Sequence, residues 1–210
     1  MIKAVLFDMD GVLIDAKDWH YEALNSVLDL FGMAIDRDAH LATFDGLPTR
    51  KKLQILSESR GFPRGLHEFV NKLKQDRTVE IATANCRPVF HHRFAVSRLK
   101  QDGMRLGVCS NSVRQSVELM MRLSGLTPYL DIMVSNEDVK EAKPHPEMYQ
   151  FAIRSLGLSP KEVLILEDNE HGIAAARASG AHLMIIGTTE DVRYASIKAA
   201  IAQAETGKVA

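Results

Sequence analysis

The strongest constraint on the fold of this chain is a series of four short apolar runs, each of which stops at polar residues. The first run covers residues 4–7 and is followed directly by Asp8. The remaining runs, with the polar residues that end them, are 106–109 with Ser110, 131–134 with Ser135, Glu137 and Asp138, and 163–166 with Glu167 and Asp168. Continuous apolar runs separated by helical stretches predict buried parallel strands. Because the carboxyl ends of the strands in an open parallel sheet line one crevice, these polar residues are expected to converge there.

The chain beyond residue 88 alternates between helical and strand patterns. The predicted elements, in chain order, are a helix from Val89 to Gln101, strand 106–109, helix 113–124, strand 131–134, helix 146–156, strand 163–166, helix 171–179 and strand 182–186. This alternation predicts an α/β fold with a doubly wound, Rossmann-like parallel sheet. The polar tail from Ala202 to Ala210 is expected to fray.

The segment between the first and second strands carries no strong strand signal. Apolar residues from Trp19 to Phe31 follow a helical spacing, and Gly32 is expected to close that helix. Further stretches without a strand signal are 36–43, 49–60 and 66–76, which are separated by turns that contain glycine and proline. The sequence therefore predicts a small helical insertion within the α/β fold.

The composition argues against several classes of partner. A net charge of −1 gives no electrostatic case for nucleic acid or for a membrane surface. The sequence has neither a charged-then-apolar leader nor an apolar run near the roughly 18 residues that a membrane-spanning helix needs. The two cysteines are Cys86 and Cys109, and Cys109 falls in a predicted buried strand, so a disulfide framework is not expected. These features predict a soluble cytoplasmic protein, with a monomer as the simplest assumption.

The polar residues at the strand ends supply the groups that phosphoryl transfer requires. That reaction needs a nucleophile, neutralisation of the charge on the phosphate oxygens and a proton donor for the leaving oxygen. Asp8 is the candidate nucleophile, which would form an aspartyl-phosphate. Asp10 points the same way by strand periodicity and is the candidate general acid and base. Ser110 can donate its hydroxyl to phosphate, and Lys143 can neutralise both the nucleophile and the transferring group.

Several carboxylates beside an anionic substrate require a cation between them, and ligands that are all oxygens indicate Mg²⁺. The candidate metal ligands are Asp8, Asp168 and the backbone carbonyl of Asp10. Glu167 is expected to act through a water molecule or by orienting Lys143.

Each of these motifs also has an ordinary structural interpretation. An Asp-x-Asp sequence is more often a turn or a solvated pair than a catalytic site. Taken alone, the segments that begin at Ser110 and Glu167 would be interpreted as helix caps, and the segment that begins at Lys143 as a solvated loop before a helix. The structural interpretation weakens when the motifs are taken together, because separate strand ends each carry a residue type that the reaction needs.

Taken in chain order, the motifs resemble those of the haloacid dehalogenase superfamily, over nearly the whole chain. The matching segments are Asp8-Met9-Asp10-Gly11-Val12-Leu13, Ser110-Asn111-Ser112, Lys143-Pro144-His145-Pro146-Glu147, and Glu167-Asp168-Asn169 with Gly172. The insertion looks like the helical cap of the subgroup that contains β-phosphoglucomutase and small sugar-phosphate phosphatases. The resemblance implies a catalytic core of residues 1–15 and 87–210 and a helical cap of residues 16–86.

The resemblance also suggests residues that would bind the substrate. Arg50, in the segment that begins at Gly46, would hold the distal group of the substrate, and Asn111 belongs to the second motif. His20 falls where relatives place a histidine near the hinge. A solvated arginine and a cap-surface histidine are the alternative interpretations. The segment 83–92 departs from the usual sequence that leads from cap to core, so the cap boundary is open there.

The function predicted from the sequence is a Mg²⁺-dependent phosphomonoester hydrolase that acts through an aspartyl-phosphate. Its substrate would be a small phosphorylated metabolite such as a sugar or polyol phosphate. One alternative is a mutase of the β-phosphoglucomutase type, which would pass the phosphoryl group to another substrate hydroxyl. The other alternative is a binding module without catalysis, for which the acid and base at Asp10 would have no purpose.

Overall fold

The structure is a computed structural model, which describes residues 1–207. The chain divides into two compact units. One unit, here called the sheet unit, consists of Met1–Asp15 and the chain from Arg87 onward. The other, here called the helical unit, consists of Ala16–Cys86.

The sheet unit contains a five-stranded parallel sheet with the strand order β3-β2-β1-β4-β5. The strands are β1 Ala4–Phe7, β2 Arg105–Cys109, β3 Ile132–Val134, β4 Val163–Glu167 and β5 His182–Ile185. In the central register, Phe7 lies beside Val108 on one side and Leu166 on the other. The predicted apolar runs are therefore parallel strands, and the carboxyl ends of β1, β2 and β4 lie next to one another.

Among the described residues, four helices lie between the strands of the sheet unit in sequence, and a fifth follows the last strand. They are α5 Phe90–Gln101, α6 Arg114–Leu123, α7 Glu147–Ser155, α8 Glu170–Ser179 and α9 Tyr194–Thr206. The predicted α/β class, with a Rossmann-like parallel sheet and a helical insertion, is confirmed. Helix α9 was not predicted, and it includes residues 202–206, which were expected to fray. The last three residues of that tail lie outside the described residues.

The core of the sheet unit explains how α7 is held against the sheet. The helix buries Met148, Tyr149, Ala152 and Ile153, which recur at the one- and four-residue spacings of a single helical face. This face belongs to the same buried cluster as Leu6 of β1. Burial of each large apolar side chain contributes roughly 1.5–3 kcal/mol. Tyr149 is thereby brought beneath the carboxyl end of the sheet.

The helical unit has its own apolar core. Its helices are α1 Lys17–Asp29, α2 Arg37–Ala39, α3 Thr49–Arg60 and α4 His67–Asn85, and a π-helical turn covers His40–Phe44. Leu28, Leu53 and Leu56 are fully buried within this core. Helix α4 continues past residue 76, where the predicted stretch ended. The continuation buries Thr78 and Ala82, which extend the four-residue spacing of the buried face along the helix.

Among residues 1–207, none of the helices combines the length and the apolar character that crossing a membrane would require.

Candidate active site

The carboxyl end of β1 presents two aspartates. Asp8 follows the strand directly, is 4% exposed, and its backbone N–H donates to the carbonyl of Leu166 on β4 at 3.0 Å. Gly11 has a φ of 93°, and its N–H donates to the carbonyl of Ile14 at 2.7 Å. Because a side chain at this φ would be strained, glycine allows the chain to turn sharply after Asp10.

Lys143 lies at the centre of the site, and all three donors of its ammonium group are engaged. Its Nζ donates to Asp8 Oδ1 at 2.6 Å, to Glu167 Oε1 at 2.7 Å and to the carbonyl of Cys109 at 2.8 Å. The side chain is 3% exposed. Residues at the carboxyl ends of β1, β2 and β4 therefore meet at one buried ammonium group.

The backbone of Lys143 is held by Asn111, which follows β2. The Asn111 amide accepts from the backbone N–H of Lys143 at 3.0 Å and donates to its carbonyl at 3.1 Å. The sequence predicted that Asn111 contacts substrate. The structure gives it contacts that fix the loop carrying Lys143, while its substrate contact stays a prediction.

Glu167 is fully buried at the end of β4. Its Oε1 accepts from Lys143 and from the hydroxyl of Tyr149, the latter at 2.6 Å, and its Oε2 accepts from the backbone N–H of Asp168 at 3.2 Å. Of the two roles considered for Glu167, the structure thus shows direct contact with Lys143.

The Asp10 carboxylate accepts hydrogen bonds from two serines that follow β2. Ser110 Oγ donates to Asp10 Oδ2 at 3.4 Å, and Ser112 Oγ donates to the same atom at 3.2 Å. Ser110 Oγ in turn accepts from the backbone N–H of Ser112 at 3.0 Å. Ser112 was not singled out from the sequence, although it lies within the motif that begins at Ser110.

Three carboxylates in the described residues could hold a metal ion. Asp8, Glu167 and Asp168 each offer one oxygen, and these oxygens lie within 4.8 Å of one another. A donor set of oxygens alone fits a hard divalent cation. Because Glu167 Oε1 already accepts two hydrogen bonds, Asp8 and Asp168 are the better-placed ligands. Asp10 lies outside this group, and the metal contact expected from its backbone carbonyl stays a prediction.

The electrostatics of the site keep Lys143 protonated. Burial disfavours its charged form, but the carboxylates of Asp8 and Glu167 outweigh burial and raise the pKa of Lys143 above its ordinary value. Burial, reinforced by Glu167 and opposed by Lys143, raises the pKa of Asp8 well above its ordinary value. A divalent cation beside Asp8 would favour the ionised carboxylate, which is the nucleophilic form.

Two predicted substrate contacts belong to the helical unit. Arg50 is exposed in the first turn of α3. His20 lies on α1, with Nδ1 at 3.3 Å from Nζ of Lys74. The helical unit contains a second contact between a lysine and a histidine, in which Nζ of Lys52 lies 3.4 Å from Nε2 of His40. The sequence did not predict this contact. The substrate contacts of Arg50 and His20 stay predictions.

Tyr149 is the other site residue that sequence reasoning missed. It lies six positions after Lys143, on the buried face of α7. A tyrosine within an otherwise apolar helical face was the available signal, because a buried hydroxyl needs a hydrogen-bond partner.

Similar proteins are found at the levels of family, sequence and fold. A family model described as haloacid dehalogenase-like hydrolase matches residues 5–186. A protein named phosphorylated carbohydrates phosphatase from Thermotoga maritima is 30% identical over 180 residues, which cover 85% of this chain and 82% of the relative. The pyrophosphatase PpaX of Bacillus cereus is 27% identical over 201 residues, which cover 90% of this chain and 84% of the relative.

Two solved structures illustrate the likeness of fold. A β-phosphoglucomutase from Clostridium difficile has a TM-score of 0.85 at 19% identity, covering 98% of this chain and 100% of that chain. CbbY from Rhodobacter sphaeroides, in complex with phosphate, has a TM-score of 0.80 at 24% identity, covering 88% of this chain and 86% of that chain. At these identities the likeness establishes the architecture.

Proposed function

Because this chain belongs to the haloacid dehalogenase-like hydrolase family, we propose that it is a Mg²⁺-dependent phosphomonoester hydrolase that works through an aspartyl-phosphate on Asp8. The resemblance predicted from the sequence motifs is confirmed by the family match over residues 5–186. The chain is an enzyme of the phosphatase class, as the sequence predicted. The proposal adds the metal, the mechanism and the class of substrate.

The observation that carries the proposal is the convergence of functional groups from separate strands. The Lys143 ammonium joins the carboxylates of Asp8 and Glu167, while Asp10 and Ser110 share a hydrogen bond at the ends of β1 and β2. A nucleophile, a fixed positive charge, a hydroxyl donor and a second carboxyl group therefore meet at one edge of the sheet. These are the components that phosphoryl transfer requires.

In the proposed mechanism, the ionised carboxylate of Asp8 attacks phosphorus, and the bond from phosphorus to the leaving oxygen breaks. Asp10 donates a proton to that oxygen, and then accepts a proton from the water that hydrolyses the aspartyl-phosphate. Lys143 and Ser110 stabilise negative charge on the transferring group. Mg²⁺ held by Asp8 and Asp168 would supply further positive charge for the phosphate oxygens.

The proposed substrate is a small sugar or polyol phosphate. A relative named for phosphorylated carbohydrates supports this class, and another named as a pyrophosphatase makes pyrophosphate a compound to include in the test. We propose that the helical unit acts as a cap and that Arg50 and His20 contact the substrate. We also propose a cytoplasmic location, because the buried Cys86 and Cys109 thiols suit a reducing compartment, and a monomer as the simplest assumption for a chain of this size and composition.

The proposal is tested by measuring phosphate release from sugar phosphates, polyol phosphates and pyrophosphate, with Mg²⁺ and with a chelator. Asp8→Asn should reduce turnover to background because an amide cannot serve as the nucleophile, whereas Asp76→Asn, at an exposed site on α4, should retain wild-type activity. Acid quenching should trap a phosphorylated protein with the wild type and not with Asp8→Asn.

Turnover by Asp8→Asn close to that of the wild type would exclude the covalent mechanism. Interconversion of two sugar phosphates without net phosphate release would instead identify the mutase. A folded protein that binds Mg²⁺ and shows neither reaction would favour the binding module.

A further inference from the structure

Tyr149 makes two contacts with the charged groups of the site. Its hydroxyl donates to Glu167 Oε1 at 2.6 Å, and Nζ of Lys143 lies 4.8 Å from the centroid of its ring. The side chain is fully buried on α7. A single tyrosine therefore touches both members of the Lys143–Glu167 ion pair, through its hydroxyl and through its ring.

The Glu167 carboxylate is confined on several sides. Besides the bonds to Lys143 and Tyr149, its Oε2 accepts from the backbone of Asp168. The backbone of Gly172 closes another side, because a Cβ atom at that position would lie 1.9 Å from Oε1 and 2.1 Å from Oε2. These contacts restrict where the Glu167 carboxylate can lie.

This confinement matters for Lys143, whose four-carbon stem is flexible and whose ammonium has no preferred direction of its own. Nζ lies between Asp8 and Glu167 at nearly equal distances of 2.6 and 2.7 Å. A hydrogen bond from Tyr149 occupies part of the accepting capacity of Glu167 Oε1. If that bond is lost, the ammonium is drawn towards Glu167 and away from Asp8.

We propose that Tyr149 is a positioning residue, which acts through Glu167 to hold the Lys143 ammonium against the nucleophile Asp8. This inference rests on the proposed phosphatase function. This role requires no contact between Tyr149 and substrate or metal, because Tyr149 acts through its contacts with Glu167 and Lys143. Its effect is on how well the positive charge is placed when the phosphoryl group transfers.

The test is Tyr149→Phe, which removes the hydroxyl but keeps the ring that packs in the core. Loss of a hydrogen bond that orients a catalytic group is expected to lower kcat by about 10- to 100-fold, with KM changed by less than about threefold. Tyr194→Phe is the matched control, because Tyr194 also donates to a carboxylate, that of Asp102 at 2.8 Å, in an exposed part of the same unit. The control should retain wild-type kcat.

A double-mutant cycle with Glu167→Gln separates positioning from packing. If Tyr149 acts through Glu167, adding Tyr149→Phe to Glu167→Gln should cause little further loss of kcat. The proposal is overturned if the kcat losses of the two single variants multiply in the double variant. It is also overturned if Tyr149→Phe has wild-type kcat, or if that variant is too unstable to assay.

A measurement that does not need turnover distinguishes this inference from the proposed function. The nitrogen-15 resonance of the Lys143 ammonium should shift in Tyr149→Phe and stay in place in Tyr194→Phe. A wild-type protein without phosphatase activity would count against the proposed function, while an unchanged Lys143 resonance would count against the role of Tyr149.

Discussion

Lys143 shows how one buried charge can serve both the fold and the site. Moving an ammonium group out of water is costly, and the cost is offset here by two carboxylates and a carbonyl that together use all three donors. The same contacts bring Asp8 and Glu167 together although both are negatively charged. Removing the Lys143 ammonium group would leave the two buried carboxylates facing each other without a positive charge between them.

Lys143→Met, which keeps much of the side-chain length without the charge, is expected to abolish turnover. It should also lower the free energy of unfolding by about 3–5 kcal/mol, because a buried ion pair is broken on one side only. Urea denaturation in the presence of a chelator measures this loss. Lys198→Met is the control, since the Lys198–Asp102 pair is partly exposed to solvent and should contribute less than about 1 kcal/mol. Equal losses for the two variants would contradict this account.

His40 makes stability depend on pH. Burial lowers the pKa of His40 from 6.5 to about 4. The nearby Lys52 also lowers this pKa, whereas Asp45 raises it. Between these values the unfolded chain binds more protons at His40 than the folded chain does, so stability falls as pH decreases from about 6.5 to about 4. The loss should not exceed about 3.4 kcal/mol, at about 1.36 kcal/mol for each unit of pKa shift.

Urea denaturation between pH 4 and pH 7 tests this expectation. His40→Gln should show a smaller decrease in unfolding free energy on acidification than the wild type, because glutamine does not titrate. His145→Gln, at an exposed position, should keep the wild-type pH dependence. The role assigned to His40 is wrong if the two variants show the same dependence.

At the scale of elements, the strands were more predictable than the helices. β1 is apolar throughout and β4 is apolar up to its last residue, Glu167, because both faces of a parallel sheet are buried. α9 was missed because it is a peripheral helix, in which Ile197 and Ile201 are the buried residues, so its periodic signal is weak. The length of α4 was missed because Lys74 and Thr78 lie on its buried face, where polar residues conceal the pattern.

The residues of the candidate site likewise differ in whether the sequence could predict them. Asp8, Asp10 and Lys143 could be chosen from the sequence because strand ends meet at one edge of a parallel sheet. The bond from Tyr149 to Glu167 could not, because it depends on how α7 packs against the sheet. The contact between Lys52 and His40 likewise depends on packing within the helical unit.

The start of α8 links a helix cap to the site. Asn169 is the N-cap and its side chain accepts from the backbone N–H of Gly172 at 3.0 Å, which holds Gly172 against Glu167. Asn169→Ala should lower the free energy of unfolding by about 1 kcal/mol, as measured by urea denaturation, and should also lower kcat. Ser159→Ala removes a capping contact at the turn before β4 and should affect stability alone. Wild-type kcat in both variants would contradict an effect of the Asn169 cap on the site.

At the scale of the whole molecule, the site belongs to a unit whose chain is discontinuous. β1 lies before the helical unit in sequence, whereas Ser110, Lys143 and Glu167 lie after it. The sheet nevertheless places β1 at its centre, between β2 and β4. The helical unit is therefore an insertion that interrupts the sequence of the sheet unit without interrupting its sheet.

The central position of β1 affects the risk of aggregation while the chain is being synthesised. β1 is complete at Phe7, whereas its partner β4 begins at Val163. At about 5–20 residues per second, the ribosome needs roughly 10 to 30 s to deliver that partner. Throughout this interval the edge of the apolar strand β1 that will pair with β4 has unpaired backbone groups, which favour aggregation. We therefore expect the growing polypeptide to be most prone to aggregation before β4 has been made.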